Sequence, residues 1–272
     1  MYPRDRRGGL ARLASESTAL MEIGALMALR RRLLDLVPQG DGHPVMLIPG
    51  FTATDRAMAY LRRFLDDCGY VASGWEQGRN LGVSRDRLDA LVRRVRALVD
   101  DSGRQVSLVG WSGGGMYARA LGHRLPDAIR QVITLGTPFK LDEDSLDYLP
   151  QGIYRLHERL SPRAPAEEQA LTAEAWKSPP PVPTSSLFSE RDALAPWPFC
   201  LDVTDSRSEN IHVPGSHAGM TYNPLIYYVL ADRLTQQAET WQPFQLGLLR
   251  RAFFRHASAP RFWHLDSAEA SS

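Results

Sequence analysis

The stretch Val106-Ser107-Leu108-Val109-Gly110-Trp111-Ser112-Gly113-Gly114 decides the fold of this chain. Its first four residues form a mainly apolar run that is typical of a buried strand, and the residues after the glycines are predicted to begin a helix. The chain must turn sharply between the two. Glycine suits positions 110 and 114 of such a turn, because a side chain there would collide with the strand or the helix. The pattern therefore predicts a strand, a tight turn that carries one serine, and a helix.

The serine in this turn, Ser112, is the candidate for a reacting side chain. A G-x-S-x-G turn between a strand and a helix forms a nucleophile elbow, which strains the backbone of the serine and presents its hydroxyl above the edge of the sheet. The same five residues also suit a plain glycine-rich turn with an exposed serine. The choice depends on whether the chain supplies the partners that a serine needs in order to react.

The length and composition of the chain limit its domain size and the classes of partner it can have. The chain has 272 residues, of which 43% are hydrophobic, enough to bury the core of one large α/β domain. Its formal net charge of +1 gives no overall field that would recruit nucleic acid. We expect Cys68 and Cys200 to be packing residues rather than a disulfide framework. The sequence contains no long apolar run and no signal-peptide pattern, which predicts a cytoplasmic protein.

Apolar runs and amphipathic segments alternate along residues 41–240, the predicted sheet domain. The predicted strands lie at 45–48, 70–72, 106–109, 131–135, 184–188 and 210–213, and the predicted helices are at 55–68, after an N-cap at Ser84, after Gly114, and from Asn223-Pro224 onward. Such alternation is typical of a parallel sheet that helices cover on both faces.

Three segments fall outside this alternation. Residues 1–40 are predicted to be a helical extension, with a helix over 20–37 that ends in a basic turn. Residues 140–183 are too long for a plain connection and are predicted to be a cap or lid insertion, with short helices at 153–160 and 166–176. Residues 241–272 are predicted to be an amphipathic segment, over 244–255, and a disordered tail. Both amphipathic segments suit either packing on the domain or a membrane surface.

A serine nucleophile needs a histidine base. Of the seven histidines, His217 lies in the loop Pro214-Gly215-Ser216-His217-Ala218-Gly219, between the last predicted strand and the last helix. Its small neighbours leave the ring free to point into a cleft. His212 lies within the predicted strand, where packing or solvation is expected. We predict that His217 is the base.

The base in turn needs a carboxylate, which is expected after the strand that precedes the histidine strand. Asp192 follows the strand that ends at Phe188 and is the predicted acid. Glu190 is the alternative if that strand ends earlier, its other role being to pair with Arg191 at the surface. Two further acids lie in the connection beyond Pro196-Trp197-Pro198 and fit less well, namely Asp202 and Asp205.

The oxyanion of an acyl-transfer intermediate needs two backbone N–H donors. Gly113, directly after the serine, is the first candidate. The second is Phe51, in the turn Pro49-Gly50-Phe51-Thr52 after the first strand, where the glycine lets the backbone approach a substrate. By itself a Pro-Gly pair is only a common turn.

With these motifs in place, residues 45–234 resemble an α/β-hydrolase of the lipase and esterase type. The resemblance depends on Gly110-Trp111-Ser112-Gly113-Gly114, Pro49-Gly50-Phe51, Asp192 and His217. It implies a mostly parallel sheet with helices on both faces, and a cap insertion that shapes an acyl pocket. Many members carry His-Gly where this chain has Pro-Gly. The usual first two strands of the family are also missing, and the N-terminal helix takes their place.

Taken together, the residues and the resemblance predict a serine hydrolase that cleaves small-molecule carboxylic esters through an acyl-enzyme on Ser112, with no metal and no organic cofactor. Thioester cleavage and acyl transfer by the same triad stay open, because the acceptor decides between them. A non-catalytic binding or membrane-associated module on this fold is the alternative of another class. The sequence does not set the oligomeric state.

The loop Trp75-Glu76-Gln77-Gly78-Arg79-Asn80 follows the second predicted strand. It lies near the carboxyl ends of the strands, where ligands bind in open α/β sheets. The sequence leaves two roles open for it, a substrate-side loop and a structural turn held by side-chain hydrogen bonds.

Overall fold

A computed structural model describes residues 16–141, 150–160, 178–248 and 250–258 of the chain. The strands are β1 Pro44–Ile48, β2 Val71–Gly74, β3 Val106–Trp111, β4 Ile129–Leu135, β5 Thr184–Phe188, β6 Ser208–His212 and β7 Arg255–His256. The α-helices are α1 Thr18–Leu36, α2 Ala59–Asp67, α3 Arg85–Ser102, α4 Gly113–Arg124, α5 Gln151–Leu160 and α6 Pro224–Leu234.

The strands form one seven-stranded sheet in the order β2-β1-β3-β4-β5-β6-β7. The first six strands pair in parallel, and β7 runs antiparallel to β6. This arrangement confirms the predicted α/β class with a mostly parallel sheet. The edge strand β7 was not predicted, because a strand of two exposed residues carries too short a pattern to recognise.

Helices cover both faces of the sheet. Successive residues of β1 point to opposite faces, so that Val45 and Leu47 join one hydrophobic core and Met46 and Ile48 join the other. The first core also takes apolar residues of α1, α2 and α6, and the second takes residues of α3 and α4. All five residues of β1 are buried, which explains why this strand has no polar alternation.

The structure changes several predicted boundaries and one cap. Strand β2 covers Val71–Gly74 rather than 70–72, and a 3₁₀ turn, Asp55–Met58, precedes α2. Ser84 stands at the N-cap position of α3, but its side chain makes no cap hydrogen bond. Asn223 does cap α6, since its side chain accepts the Leu225 N–H at 2.9 Å.

Both cysteines are buried and free, as expected for packing residues. Burial raises the pKa of the Cys68 thiol to about 11 and that of Cys200 well above its usual value. The two thiols are therefore protonated at neutral pH.

The N-terminal helix α1 packs on α6 and on the 3₁₀ turn Ala218–Thr221. Leu26 and Leu33 are buried in the first core, whereas other apolar side chains of the helix face solvent. In the C-terminal segment, Phe244 and Phe254 are likewise buried in that core. Packing on the domain is thus one role of both amphipathic segments.

Helix α5 occupies the place of the first helix predicted in the insertion. The second, over 166–176, and the predicted tail at 268–272 lie outside the described residues. Within the described ranges, no helix has the length and apolar character needed to cross a bilayer. The cytoplasmic location stays a prediction, as do the domain boundaries.

A buried Ser-His-Asp chain lies where β1 and β3 begin. His43 Nδ1 is 2.5 Å from Asp41 Oδ1, and His43 Nε2 is 2.8 Å from Ser107 Oγ. Both His43 and Ser107 are 0% exposed, and Arg130 pairs with Asp41 at 2.7 Å. Burial lowers the pKa of His43 to about 4, against the hydrogen bond to Asp41, which raises it. The buried imidazole is therefore neutral and ties the two strands together.

We expect this histidine to make the fold sensitive to acid. An unfolded His43 takes up a proton near pH 6.5, whereas the folded one does so only near 4, so stability is lost as the pH falls between these values. The difference is equivalent to about 3 kcal/mol at 1.36 kcal/mol per pH unit. Chemical unfolding at several pH values should show a steeper loss for the wild type than for His43→Gln.

Ser107→Ala is the matched control, because it keeps the buried imidazole and should keep the wild-type slope. Equal slopes for the wild type and His43→Gln between pH 4 and 6.5 would contradict this account.

Candidate active site

The turn between β3 and α4 holds Ser112 in a strained backbone conformation. Its φ is 51° and its ψ is −126°, in a region that residues with a side chain rarely adopt. The end of β4 and the turn after it fix this geometry: the Ser112 N–H donates to the Leu135 carbonyl at 2.8 Å, and the hydroxyl of Thr137, two residues beyond the strand, donates to the Ser112 carbonyl at 2.8 Å. The strained serine is therefore held by hydrogen bonds to both its backbone N–H and its backbone carbonyl.

The glycines around Ser112 are required by close packing. A Cβ atom at Gly114 would overlap the carbonyl oxygens of Ile48 and Pro49, and one at Gly110 would overlap the backbone of Gly115. The first turn of α4 thus lies directly against β1 and β3. This is the collision that the sequence predicts for positions 110 and 114.

The structure brings Ser112, His217 and Asp192 into one chain of hydrogen bonds. His217 Nε2 lies 3.0 Å from Ser112 Oγ, and His217 Nδ1 lies 2.6 Å from Asp192 Oδ2. A carboxylate only accepts, so Nδ1 carries the proton and Nε2 is left to accept from the serine hydroxyl. The second oxygen of Asp192 accepts the N–H groups of Leu194 at 2.9 Å and Ala195 at 2.7 Å.

The electrostatics of His217 differ from those of His43. Burial alone would lower the pKa of His217, but the Asp192 carboxylate and, more weakly, Glu16 favour the imidazolium, so the pKa is raised above its usual 6.5. Ser112 is only partly buried, whereas the side chains of His217 and Asp192 are 7% and 1% exposed. The serine is thus the member of the chain that solvent reaches best.

The turn after β1 lies against the elbow. A Cβ atom at Gly113 would be 3.2 Å from the backbone nitrogen of Phe51, and one at Gly50 would be 3.1 Å from the Cβ of Ser112. Phe51 and Gly113, the two residues predicted to bind an oxyanion, are therefore neighbours across the turn. Glycine at 50 allows the backbone to come this close.

The loop after β2 fixes the turn after β1. The Asn80 side-chain amide donates to the Pro49 carbonyl at 2.8 Å, and the Thr52 N–H donates to the Asn80 carbonyl at 2.6 Å. Arg79 donates to the Thr52 carbonyl at 2.7 Å, and Thr52 itself has a φ of 64°. Of the two roles left open by the sequence, these bonds favour the structural turn.

Other side chains hold the loop that carries His217. The indole N–H of Trp111 donates to the His217 carbonyl at 3.2 Å, and the Ser189 hydroxyl donates to the Gly215 carbonyl at 2.6 Å. The Asn223 amide donates to the Pro214 carbonyl at 2.8 Å. Sequence reasoning missed these roles, because each acceptor is a backbone carbonyl that carries no residue signature.

The alternative acids and histidines lie elsewhere. Glu190 pairs with Arg255 at the surface, and Asp202 forms a buried ion pair with Arg119. Asp205 accepts the Arg207 N–H at 2.7 Å, and His212 contacts the Phe188 ring edge-on. Among the described side chains, Asp192 is the carboxylate bonded to the ring of His217. Within the same residues, no cluster of three or more His, Cys, Asp or Glu side chains could hold a metal ion.

Comparison with solved structures shows which fold this is. Lipase B from Aspergillus fumigatus matches with a TM-score of 0.55 at 19% identity, over 72% of this chain and 53% of that protein. The chain has the α/β-hydrolase fold. A lipolytic enzyme of the metagenome-derived LipS and LipT pair matches with a TM-score of 0.52 at 15% identity, over 73% of this chain and 94% of that one.

The pyrethroid hydrolase PytH also shares the α/β-hydrolase fold, with a TM-score of 0.50 at 18% identity over 72% of this chain and 99% of PytH. The chain spans about half the length of the Aspergillus lipase. No family model matches the sequence, and no curated protein matches it. Identities this low establish a shared fold and leave the activity to be argued from the site. In this fold the triad follows the chain order serine, acid, histidine, which is the order of Ser112, Asp192 and His217.

The packing of the elbow predicts opposite effects for two glycine substitutions. Gly114→Ala forces a methyl group into the backbone of β1 and should cost about 3 kcal/mol of unfolding free energy, the upper end of the usual cost of overpacking. Gly24→Ala is the matched control, since no atom lies within 4 Å of its Cβ position in α1, and it should stabilise the protein by up to about 1 kcal/mol. Thermal unfolding measures both. A Gly114→Ala protein as stable as the wild type would show that the elbow is not closely packed.

Proposed function

We propose that this chain is a serine hydrolase that cleaves carboxylic esters through an acyl-enzyme on Ser112. The observation that carries the proposal is the continuous hydrogen-bonded chain from Ser112 through His217 to Asp192. It stands at the carboxyl end of β3, beside the turn that contains Phe51. The α/β-hydrolase fold supports the hydrolase class, and the finer choice of ester substrate rests on the site.

In the proposed reaction, Ser112 Oγ attacks the ester carbonyl while His217 Nε2 takes the hydroxyl proton. Asp192 keeps the ring oriented and stabilises the imidazolium. The backbone N–H groups of Phe51 and Gly113 stabilise the oxyanion. The imidazolium then gives its proton to the leaving alcohol. Water, deprotonated by the same nitrogen, attacks the acyl group, releases the acid and regenerates the serine.

The buried chain at the other end of β3 shows why residue types alone do not support a catalytic role. Ser107, His43 and Asp41 repeat the same three side chains, but Ser107 is fully buried. No substrate carbonyl can reach it. Ser112 is partly exposed and sits beside candidate oxyanion donors, and these two differences favour the elbow as the reactive site.

The two serines provide a matched test. A fluorophosphonate probe should label the wild type and Ser107→Ala, but not Ser112→Ala. Turnover of short p-nitrophenyl esters should fall by about 10⁴-fold or more in Ser112→Ala, and should persist in Ser107→Ala. Labelling that survives in Ser112→Ala would place the nucleophile elsewhere.

The same test separates the alternatives of different class. A wild-type protein that neither labels nor turns over an ester would be a non-catalytic module on this fold. Thioester cleavage and acyl transfer use the same triad, so they are distinguished by a panel of p-nitrophenyl esters and acyl-CoA thioesters, with and without an acceptor alcohol. Four of the apolar residues that suggest an acyl or aromatic substrate lie outside the described residues, namely Tyr148, Leu149, Leu171 and Trp176. The absence of a required cofactor stays a prediction.

We further propose that α1 makes a peripheral contact with an anionic membrane surface. Leu20 and Met21 are 76% and 69% exposed, and Met27 is also exposed. One solvent-exposed face of the helix is formed by residues at helical spacing, namely Leu20, Gly24, Met27 and Arg31. The apolar side chains of such a face can insert into the interface of a membrane, and the arginine at its end can bind anionic lipid headgroups.

Vesicle co-sedimentation tests this contact. The wild type should sediment with phosphatidylglycerol-containing vesicles more strongly than with pure phosphatidylcholine, and the double variant Leu20→Ser, Met27→Ser should lose most of this binding. The two side chains face solvent, so the variant should unfold at the wild-type temperature. A wild-type protein that stays in the supernatant with both kinds of vesicle would dismiss the proposal.

A further inference from the structure

Glu16, just before α1, joins the two loops that carry His217 and Asp192. One of its carboxylate oxygens accepts the backbone N–H groups of His217 at 3.1 Å and Ala193 at 3.2 Å. The other accepts the N–H of Ala218 at 3.0 Å. Ala193 directly follows Asp192, so a single carboxylate ties the acid loop to the histidine loop.

Glu22, in the first turns of α1, holds the same loop one residue earlier. One of its oxygens accepts the Ser216 N–H at 2.8 Å, and the other accepts the Ser216 hydroxyl at 3.3 Å. A Cβ atom at Gly219 would overlap this carboxylate. The small residues of the histidine loop therefore have a second purpose, because they leave room for a carboxylate of α1.

Helix α1, which carries Glu22 and directly follows Glu16, is firmly anchored. Leu26 and Leu33 are buried in the core beneath it, and α1 packs on the turn that follows His217. Hydrogen bonds from backbone N–H groups to a carboxylate are roughly twice as strong as neutral ones. The anchored helix, with Glu22 in its first turns and Glu16 directly before it, therefore restrains the loop between β6 and the 3₁₀ turn at Ala218–Thr221.

We propose that Glu16 and Glu22 are positioning residues of the active site, which hold the loop of His217 so that its ring lies between Ser112 and Asp192. Helix α1 and the residues directly before it would then help to position the base of the active site. The inference rests on the proposed hydrolase function, since positioning matters to a reaction only if Ser112 reacts.

The two carboxylates should act differently on the base. The charged groups that face His217 are Asp192, from the loop after β5, and Glu16, from the start of α1, and both favour its imidazolium. Glu22, whose own pKa is raised by burial, binds the N–H and the hydroxyl of Ser216 and makes no hydrogen bond to His217. Removing the charge of Glu16 should therefore move the pKa of His217, whereas removing that of Glu22 should not.

The experiment compares kcat and KM for a p-nitrophenyl ester over a range of pH in the full-length wild type and two variants. In Glu16→Gln an amide NH₂ replaces one acceptor oxygen and opposes a backbone N–H. We expect kcat to fall about tenfold or more, the factor equivalent to one lost charge-assisted hydrogen bond, with little change in KM. The acid limb of kcat/KM should move to lower pH. Glu22→Gln should lower kcat without moving that limb.

Asp35→Asn is the matched control, because it removes an exposed carboxylate from the same helix, away from the histidine loop. Its kcat, KM and pH profile should equal those of the wild type. Wild-type kcat and an unmoved acid limb in Glu16→Gln would overturn the inference. So would a fall in kcat that only follows a fall in the unfolding temperature.

A second readout separates this inference from the proposed function. NMR titration of the His217 imidazole, assigned with His217→Asn, reports its pKa without any turnover. A lower pKa in Glu16→Gln supports the contact even if the wild type hydrolyses nothing, in which case the proposed function alone fails. If the wild type is active but the pKa of His217 is unchanged in Glu16→Gln, the positioning role is contradicted while the proposed hydrolase function is still supported.

Discussion

The first turn of α4 approaches β1 and β3 so closely that no side chain fits at positions 110 and 114. This contact forces the chain through the strained conformation of Ser112, which is fixed by two hydrogen bonds: its N–H donates to the Leu135 carbonyl at the end of β4, and the Thr137 hydroxyl donates to its carbonyl. The hydroxyl is then fixed at the carboxyl edge of the sheet. Every other part of the site is arranged around this point, from the turn after β1 to the loop of His217.

Support for the site comes mostly from side chains outside the triad that bind the backbone of its loops. Asn80 fixes the turn that contains Phe51, and Trp111 fixes the backbone of His217. Glu16 and Glu22 reach the histidine loop from the other end of the chain. Because loops lack the regular hydrogen bonds of helices and strands, a reactive geometry on loops needs such external restraints.

The chain contains two Ser-His-Asp arrangements whose histidines respond oppositely to their surroundings. Burial lowers the pKa of His43 to about 4, whereas the Asp192 and Glu16 charges outweigh burial and raise that of His217. The arrangement of His43 is buried at the amino ends of β1 and β3. The arrangement of His217 lies at the carboxyl end of β3, where Ser112 is partly exposed to solvent. The two arrangements contain the same residue types. They differ in the solvent exposure of the serine and in the charges around the histidine, and these differences distinguish a structural contact between strands from a candidate active site.

The parts that local patterns encode could be predicted from the sequence. The parallel sheet covered by helices follows from alternating strands and helices, and Ser112, Asp192 and His217 each follow a predicted strand. Glu16 could not be found in this way, since its contact with His217 spans 201 residues and ends on backbone N–H groups. Ser84 shows the opposite case, because a good N-cap residue stands at the right place and does not cap. Strand β7 is too short to leave a pattern.

A crystal structure of the fluorophosphonate adduct would test directly whether Ser112 is the nucleophile of this site. We expect a bond from phosphorus to Ser112 Oγ, the phosphoryl oxygen within hydrogen-bond distance of the backbone nitrogens of Phe51 and Gly113, and His217 still hydrogen-bonded to Asp192. An adduct on another residue, or a phosphoryl oxygen that points away from both nitrogens, would contradict this expectation.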